Sequence, residues 1–227
     1  GGAGVREGGR YRAAALSMVM HPESPMVPTL RGDVRVFGVE DEDGNVVEAW
    51  AGGGVDLTPA YVFEEDAREF HGFWKSLCDA HDPGYYPKYK QWCDRYFHIG
   101  MRKEHRGLGG IFFDDLPLTP SVLPFLAAVA TNWTTSYAAI AARRRALPYS
   151  PEQKRWQRLR RGRYLEFNLV HDRGVRFGLQ SAGRVESIMV SAPPSVEWRY
   201  NVVPEEGSEE EKTVRILQGE PVDWVEY

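Results

Sequence analysis

The segment DVRVFGVEDEDGNVVEAWAGGGVDLT, residues 33–58, determines the fold that we predict for this chain. Apolar runs at 33–39 and 46–51 flank a link that contains Asp-Gly-Asn, which predicts a β-hairpin over 33–51. Three glycines then bring Asp56 between two apolar residues. A glycine run costs backbone entropy, so it indicates either a tight structural turn or a place where a flat ligand approaches the backbone. The residues alone slightly favour the turn.

The flanking segments continue the pattern as a further strand, two helices and a buried strand. The apolar stretch 12–20 predicts a strand, and acidic residues before an apolar stripe of helical spacing predict a helix over 64–80. Pro87 is suited to the first turn of a second helix. Segment 107–116 then predicts a buried strand that ends in two acids.

In the second half of the chain we predict one long helix over 119–145 and another over 150–161, with Ser150 as its N-cap. Segments 163–171 and 175–180 resemble a second hairpin, and 185–191 a further strand. We expect a solvated loop at 207–212 before a last short helix. Strands, then helices, then strands predict an α+β fold, with a largely antiparallel sheet covered by helices.

Composition limits the class of protein. The chain has 227 residues and 42% hydrophobic content, which suits one domain over residues 1–227. It contains neither an apolar run of the roughly 20 residues that a membrane span needs nor a signal-peptide core. Cys78 and Cys93, without CxxC spacing, favour a reducing compartment. We therefore expect a cytoplasmic protein without a membrane span, and leave open a targeting segment at the N-terminus.

The charge distribution raises the question of an anionic partner. Net charge is -4, yet twelve of the 28 basic residues lie between Arg143 and Arg184. The run from Lys154 to Arg163 offers an RNA-binding alternative, but a single such helix on an acidic protein is more often a solvated face. We expect no nucleic-acid partner.

Histidines and arginines are the remaining candidates for chemistry. None of the six histidines has the spacing of a metal-binding motif, and His71 shares the apolar side of its helix, as expected of a hydrogen-bonded core histidine. Arg35, Arg173 and Arg184 occupy strand and turn positions where a guanidinium is either paired internally or held ready for carboxylates. Taken one at a time, internal pairing is the better interpretation.

Six segments together carry a family resemblance. They are MHPESPMVPT (20–29), GGGVDLTPAY (52–61), YPKYKQWCDRYF (86–97), RGLGGIFFDDL (106–116), RRGRYLEFNLVHDRGVRFGL (160–179) and GRVESIMVSAPP (183–194). In this order the chain resembles the oxygen-dependent coproporphyrinogen III oxidases. The resemblance implies a large flat antiparallel sheet sandwiched between layers of helices. It also implies conversion of two propionates of coproporphyrinogen III to vinyl groups, in haem synthesis, with O2 as co-substrate and no tightly bound cofactor.

The resemblance also assigns site residues. Asp56 matches the position that would contact the pyrrole N–H groups, and Arg35 and Arg173 match arginines that would hold carboxylates, so these three are the expected catalytic residues. The remaining expected substrate contacts are Ser17, Asp33, Val34, Ala182, Gly183 and Arg184.

Three positions depart from the family pattern. Relatives usually carry histidine where this chain has Arg31 and Met101, and asparagine where it has Asp33. Because an arginine does not readily exchange a proton near neutral pH, a catalytically inactive tetrapyrrole-binding relative is the alternative. His21 and His71 match the other two family histidines, and with two of four replaced we predict no metal.

The resemblance further implies a homodimer whose interface lies around Tyr164 to Arg199. We expect the helical N-terminal part of the family to be missing from this sequence.

Overall fold

Four antiparallel strands form the main sheet, in the order Arg10–Met20, Thr29–Glu40, Val46–Thr58 and Gly109–Pro117. The computed structural model describes residues 10–180 and 183–225. The strands are β1 (Arg10–Met20), β2 (Thr29–Glu40), β3 (Val46–Thr58) and β6 (Gly109–Pro117), and a two-stranded hairpin is formed by β4 (His98–Ile99) and β5 (Glu104–His105). The predicted hairpin and the strands predicted on either side of it are confirmed.

The strand register separates the residues of the sheet into an apolar and a polar face. Arg31 lies opposite Asp56, and Asp33 lies opposite Gly54 and Ser17. Because alternate residues of a strand point to opposite faces, Arg31, Asp33 and Asp56 share one side, which we call the polar face. Their neighbours along the strands, among them Leu30 and Val55, form the apolar face.

Eight helices occur in the described part of the chain. They are α1 (Glu64–Asp79), α2 (Tyr85–Tyr96), α3 (Val122–Asn132), α4 (Thr135–Arg144), α5 (Pro151–Val170), α6 (Arg173–Gln180), α7 (Val185–Met189) and α8 (Glu209–Gln218). The helix predicted at 64–80 is confirmed. So is the start of α5, where Ser150 and Gln153 form a reciprocal capping box and Pro151 follows in the first turn.

The main core lies on the apolar face of the sheet. Leu30 and Val55 pack with Trp74 of α1, Phe125 of α3 and Ile140 of α4, and all five are fully buried. Each such side chain stabilises the fold by about 1.5–3 kcal/mol relative to exposure. This core fixes the sheet, so the polar face can carry charged groups.

Helix α2 covers the β6 edge and contacts both faces of the sheet. Its Tyr89 lies beside Phe113 in the main core, while its Tyr96 stacks on Phe112 with ring centroids 4.1 Å apart. Phe112 and Phe167 of α5 belong to a second buried cluster. Helices therefore pack on both sides of the sheet, which confirms the α+β class.

Two predicted elements have different bounds. Segment 119–145 forms two helices rather than one, because the chain turns at Trp133, whose ring lies against Gly32 of β2. The expected loop at 207–212 is already helical from Glu209, since Ser208 accepts a hydrogen bond from the backbone N–H of Glu211 and caps α8.

The predicted strands at 163–171, 175–180 and 185–191 are wrong, because these segments belong to the helices α5, α6 and α7. Helix α5 continues through Gly162, where a Cβ atom would lie 2.9 Å from the backbone oxygen of Glu197. This glycine allows a loop to pack closely and does not end the helix. The buried residues Trp156, Leu159 and Phe167 lie at helical spacing along α5.

The basic run of α5 is engaged within the protein. Arg160 pairs with Glu104, Arg158 with Glu197 and Lys154 with Glu23, while Arg161 donates to a backbone oxygen. These pairings do not favour the RNA alternative, which needs free cations. No helix in the described ranges is long and apolar enough to cross a membrane.

Candidate functional site

Asp56 is the most enclosed carboxylate of the polar face, only 2% exposed. Its Oδ2 atom accepts a hydrogen bond from Nη2 of Arg106 at 2.6 Å, and its Oδ1 atom lies 3.7 Å from Nη1 of Arg31. Within the described chain no hydrogen bond reaches Oδ1. One oxygen of Asp56 is therefore fixed, and the other is free to accept a further donor.

Arg106 is fully buried in an aromatic cage. Its guanidinium carbon lies 4.0 Å from the ring centre of Phe97, 4.3 Å from that of Tyr164 and 4.9 Å from that of Phe167. Ring faces attract a guanidinium, and the charge is balanced by Asp56. Arg106 directly follows β5, and its backbone N–H donates to the backbone oxygen of Phe97, so the small hairpin positions it. No local pattern in the sequence singles out Arg106 as a site residue.

Arg31 lies between two carboxylates. Its Nη1 atom lies 2.8 Å from Oδ1 of Asp33, besides its contact with Asp56. Burial alone would lower the pKa of Arg31, but the two carboxylates raise it on balance. The position therefore holds a permanent cation and does not exchange protons near neutral pH.

A cleft of about 320 Å³ opens on the polar face beside this cluster. Its lining combines aromatic rings, arginines and acids, namely Tyr11, Phe37, Trp50, Tyr96, Phe177, Arg31, Arg35, Arg173, Asp114, Asp115, Asp172 and Gly174. The rings of Phe37 and Trp50 stack with centroids 5.6 Å apart, and Tyr11 stacks on Phe37. Asp56 does not line this cleft. Arg31 does line it, and Arg31 also contacts Asp56.

Arg35 and Arg173 both line the cleft, one from β2 and the other from the start of α6. Arg35 is already paired, with Asp33 through Nη1 and with Asp114 through Nη2 at 3.2 Å. Arg173 is 68% exposed and lies 3.7 Å from Asp114. The arginine more available to a ligand is therefore Arg173.

The glycine run has a different neighbourhood from the one expected. A Cβ atom on residue 52 would lie 2.6 Å from Nε of Arg35, and one on residue 54 would lie 3.3 Å from the ring of Phe112. Side chains thus fill the space above Gly52, and at Gly54 the backbone oxygen of Ile111, 2.6 Å from such a Cβ, fills it together with Phe112. In this arrangement Gly52 makes room for an ion pair rather than for a ligand.

The remaining predicted contacts lie in different places. Ser17 is exposed on the polar face, in register with Asp33. Val34 packs against the main core, so its side chain points away from the polar face. Gly183 and Arg184 lie just before α7 and do not line the described cleft, and Ala182 falls outside the described residues.

The histidines have structural environments. His71 is fully buried, its Nδ1 paired with the hydroxyl of Tyr86 and its Nε2 with the backbone oxygen of Leu108. Its burial and its two hydrogen bonds confirm the core interpretation. Burial, followed by the charge of Lys90, lowers the pKa of His71 to about 3. His21 contacts the backbone oxygen of Ser191. Among the described residues no group of three His, Cys, Asp or Glu side chains converges as a metal site would require.

The chain is similar to known proteins over nearly its whole length. The profile of the family described as coproporphyrinogen III oxidase matches residues 4–224. The chain is 48% identical to the chloroplastic oxygen-dependent coproporphyrinogen-III oxidase of Glycine max, over 95% of this chain and 57% of the relative. It is 48% identical to the oxygen-dependent coproporphyrinogen-III oxidase of Francisella tularensis subsp. holarctica, over 96% of this chain and 70% of the relative. The chloroplastic coproporphyrinogen-III oxidase 1 of Arabidopsis thaliana is 47% identical to the chain, over 95% of this chain and 57% of the relative. The chain thus spans little more than half the length of the plant relatives.

Proposed function

The chain belongs to the coproporphyrinogen III oxidase family, and on that premise we propose that it converts two propionate groups of coproporphyrinogen III to vinyl groups. The reaction is an oxygen-dependent oxidative decarboxylation in haem biosynthesis, and its product is protoporphyrinogen IX. The observation that carries the proposal is the polar face, where an arginine-lined aromatic cleft adjoins a buried carboxylate with one free oxygen.

The cleft suits the chemistry of such a substrate. A tetrapyrrole presents apolar rings together with several carboxylates, so its site needs both ring faces and cations. Phe37 and Trp50 supply aromatic surface to the cleft, and Arg173 supplies an exposed guanidinium. Guanidinium groups bind carboxylates in a bidentate way, which fixes the orientation of the propionate as well as its position.

The proposed reaction needs an electron acceptor. When a propionate becomes a vinyl group, the bond to its carboxylate breaks to release CO2, and a C–H bond on the carbon next to the pyrrole also breaks. A proton and two electrons must leave for each vinyl group formed. We assign O2 as the acceptor and expect no tightly bound cofactor or metal, because a reduced pyrrole is electron-rich enough to react once its N–H proton is drawn away.

Asp56 is the proposed acceptor of the pyrrole N–H donors. Its Oδ1 atom is free while Arg106 holds its Oδ2 atom, so the carboxylate keeps a fixed direction. A ligand in the cleft reaches Oδ1 once Arg31 shifts from its position 3.7 Å away. Asp33 and Ser17, which share the polar face, then become additional contacts. Where the family resemblance implies a histidine, Arg31 supplies a permanent cation.

The proposed enzyme is a homodimer. Within the segment from Tyr164 to Arg199, helices α6 and α7 have no buried residues. Phe177, Val190 and Trp198 are all more than half exposed. An apolar surface of this kind is typical of an interface, and the interface would be helical rather than stranded. We keep the cytoplasm as the proposed location, which suits the two free buried cysteines.

Turnover of coproporphyrinogen III tests the proposal. Purified protein is incubated with the substrate under air and under nitrogen, with and without prior chelator treatment, while vinyl product and CO2 are measured. We expect turnover that requires O2 and survives the chelator. Binding without product would favour the inactive tetrapyrrole-binding alternative. Absence of both binding and turnover would overturn the proposal.

A further inference from the structure

Asp114 bridges two of the three arginines of the cleft, Arg35 and Arg173. Its Oδ1 atom lies 3.2 Å from Nη2 of Arg35, and its Oδ2 atom lies 3.7 Å from Nη1 of Arg173. One carboxylate of the protein thus occupies the position between two cations where a carboxylate of a ligand would bind. It also connects the sheet to the start of α6.

A β-bulge places this carboxylate. Gly53 pairs with Phe113 and Ala51 with Leu116, so Asp114 and Asp115 together lie opposite the single residue Gly52. Such a bulge redirects a side chain, and here Asp115 takes up the extra residue with a φ of 50°. A Cβ atom on residue 52 would lie 2.5 Å from Oδ1 of Asp114, so the glycine keeps space for the bridge.

The two halves of the bridge differ in strength. Arg35 is mostly buried and also pairs with Asp33, so its contact with Asp114 is well shielded. Arg173 is mostly exposed, and its 3.7 Å contact exceeds the length of a hydrogen bond. Exposed pairs of this kind contribute little free energy. A ligand carboxylate that binds Arg173 in a bidentate way can therefore displace Asp114 from it.

We propose that Asp114 is a specificity-determining residue, a resident carboxylate that competes with the carboxylate of the ligand for Arg173 and Arg35. The proposal rests on the proposed function, because it takes the ligand to be a carboxylate-bearing tetrapyrrole. A ligand without a carboxylate cannot displace Asp114 and gains nothing from the two arginines. The cleft therefore selects ligands by whether they bring a carboxylate to this position.

The neighbouring acid provides a matched control. Asp114→Asn removes the competing charge with little change in shape, and Asp115→Asn removes one charge from the same cleft. No ion pair of Asp115 occurs within the described ranges, and asparagine tolerates its positive φ. Binding is measured by fluorescence titration with coproporphyrin III, an oxidised ring that carries four carboxylates. We expect Asp114→Asn to lower Kd by roughly threefold to tenfold more than Asp115→Asn does.

Three results would overturn the proposal. Equal changes in the two variants would show that only the net charge of the cleft matters. Weaker binding by Asp114→Asn would show that the carboxylate positions the arginines instead of competing for their ligand. Failure of both variants to bind the porphyrin would show that no anion site lies under Asp114. Turnover by the wild-type protein is measured separately, so failure of the proposed function is distinguished from failure of this inference.

Discussion

Replacing Arg106 by methionine tests how the polar face is held together. The fully buried guanidinium is the only hydrogen-bond donor to Oδ2 of Asp56 among the described contacts. Methionine fills much of the same volume but leaves that carboxylate buried without its partner. Breaking a buried ion pair in this way costs about 3–5 kcal/mol, a large part of the roughly 5–15 kcal/mol that stabilises a typical domain.

The pairing itself is measured with a double-mutant cycle. Urea unfolding is followed for the wild type, Arg106→Met, Asp56→Asn and the double variant. Removing both charges avoids a buried unpaired charge. We therefore expect the loss of unfolding free energy in the double variant to be smaller than the sum of the two single losses, by about 3 kcal/mol or more. Arg68→Met, which breaks the exposed pair with Glu64 on α1, is the control and should cost less than about 1 kcal/mol.

Additivity within about 0.5 kcal/mol would refute this reasoning, because it would show that Arg106 and Asp56 do not depend on each other. The cycle also changes how an Asp56→Asn experiment is interpreted. Loss of turnover in that variant assigns a chemical role to Asp56 only after its folding has been measured, since the same substitution leaves Arg106 unpaired.

Three further predictions follow from the surroundings of His71, Ser150 and Arg173. Because burial lowers the pKa of His71 to about 3, the folded state binds fewer protons than the unfolded state between about pH 6.5 and pH 3, so stability falls as the pH falls through that window. His71→Gln should reduce the slope of unfolding free energy against pH by about 1.4 kcal/mol per unit there, and an unchanged slope would contradict the assignment. Ser150→Ala should cost about 1 kcal/mol in urea unfolding because α5 loses its capping box, whereas Ser121→Ala, at an N-cap without a side-chain cap bond, should cost less than about 0.5 kcal/mol. Equal losses would argue against the cap. In steady-state kinetics Arg173→Lys should raise KM with little loss of stability, whereas Arg35→Lys should also destabilise the fold, and an unchanged KM for Arg173→Lys would exclude its proposed contact.

The elements that the sequence predicted correctly are those with strong local signals. The Asp-Gly-Asn link defines the β2–β3 hairpin, and Ser150 with Pro151 defines the start of α5, without help from distant residues. Segment 163–171 failed because its aromatic and branched residues have strand propensity, and tertiary packing overrides such propensities. Gly162 looked like a helix end but is a point of close packing.

The site could be predicted only in part. Asp56, Arg35 and Arg173 were identified from the family resemblance, and the structure places all three on or beside the polar face. Arg106 gave no local signal, because its partners Asp56, Tyr164 and Asn168 lie some fifty or more residues away in the chain. The bridge through Asp114 depends on a bulge, which alternation along the strand does not reveal.

The strand order also determines when the polar face forms during folding. Strands β1 to β3 pair with their neighbours in the chain, whereas β6 returns only after a connection of roughly fifty residues, whose closure costs about 3–4 kcal/mol of chain entropy. Arg106 and Asp114 both arrive with that returning segment. A folding intermediate that contains only the first three strands would carry Asp56 and Arg31 but lack Arg106, which donates the hydrogen bond to Oδ2 of Asp56. We therefore expect the residues of the proposed site to come together in the slow closing step, so that ligand-binding competence appears with the last phase of refolding and not with the early hairpin.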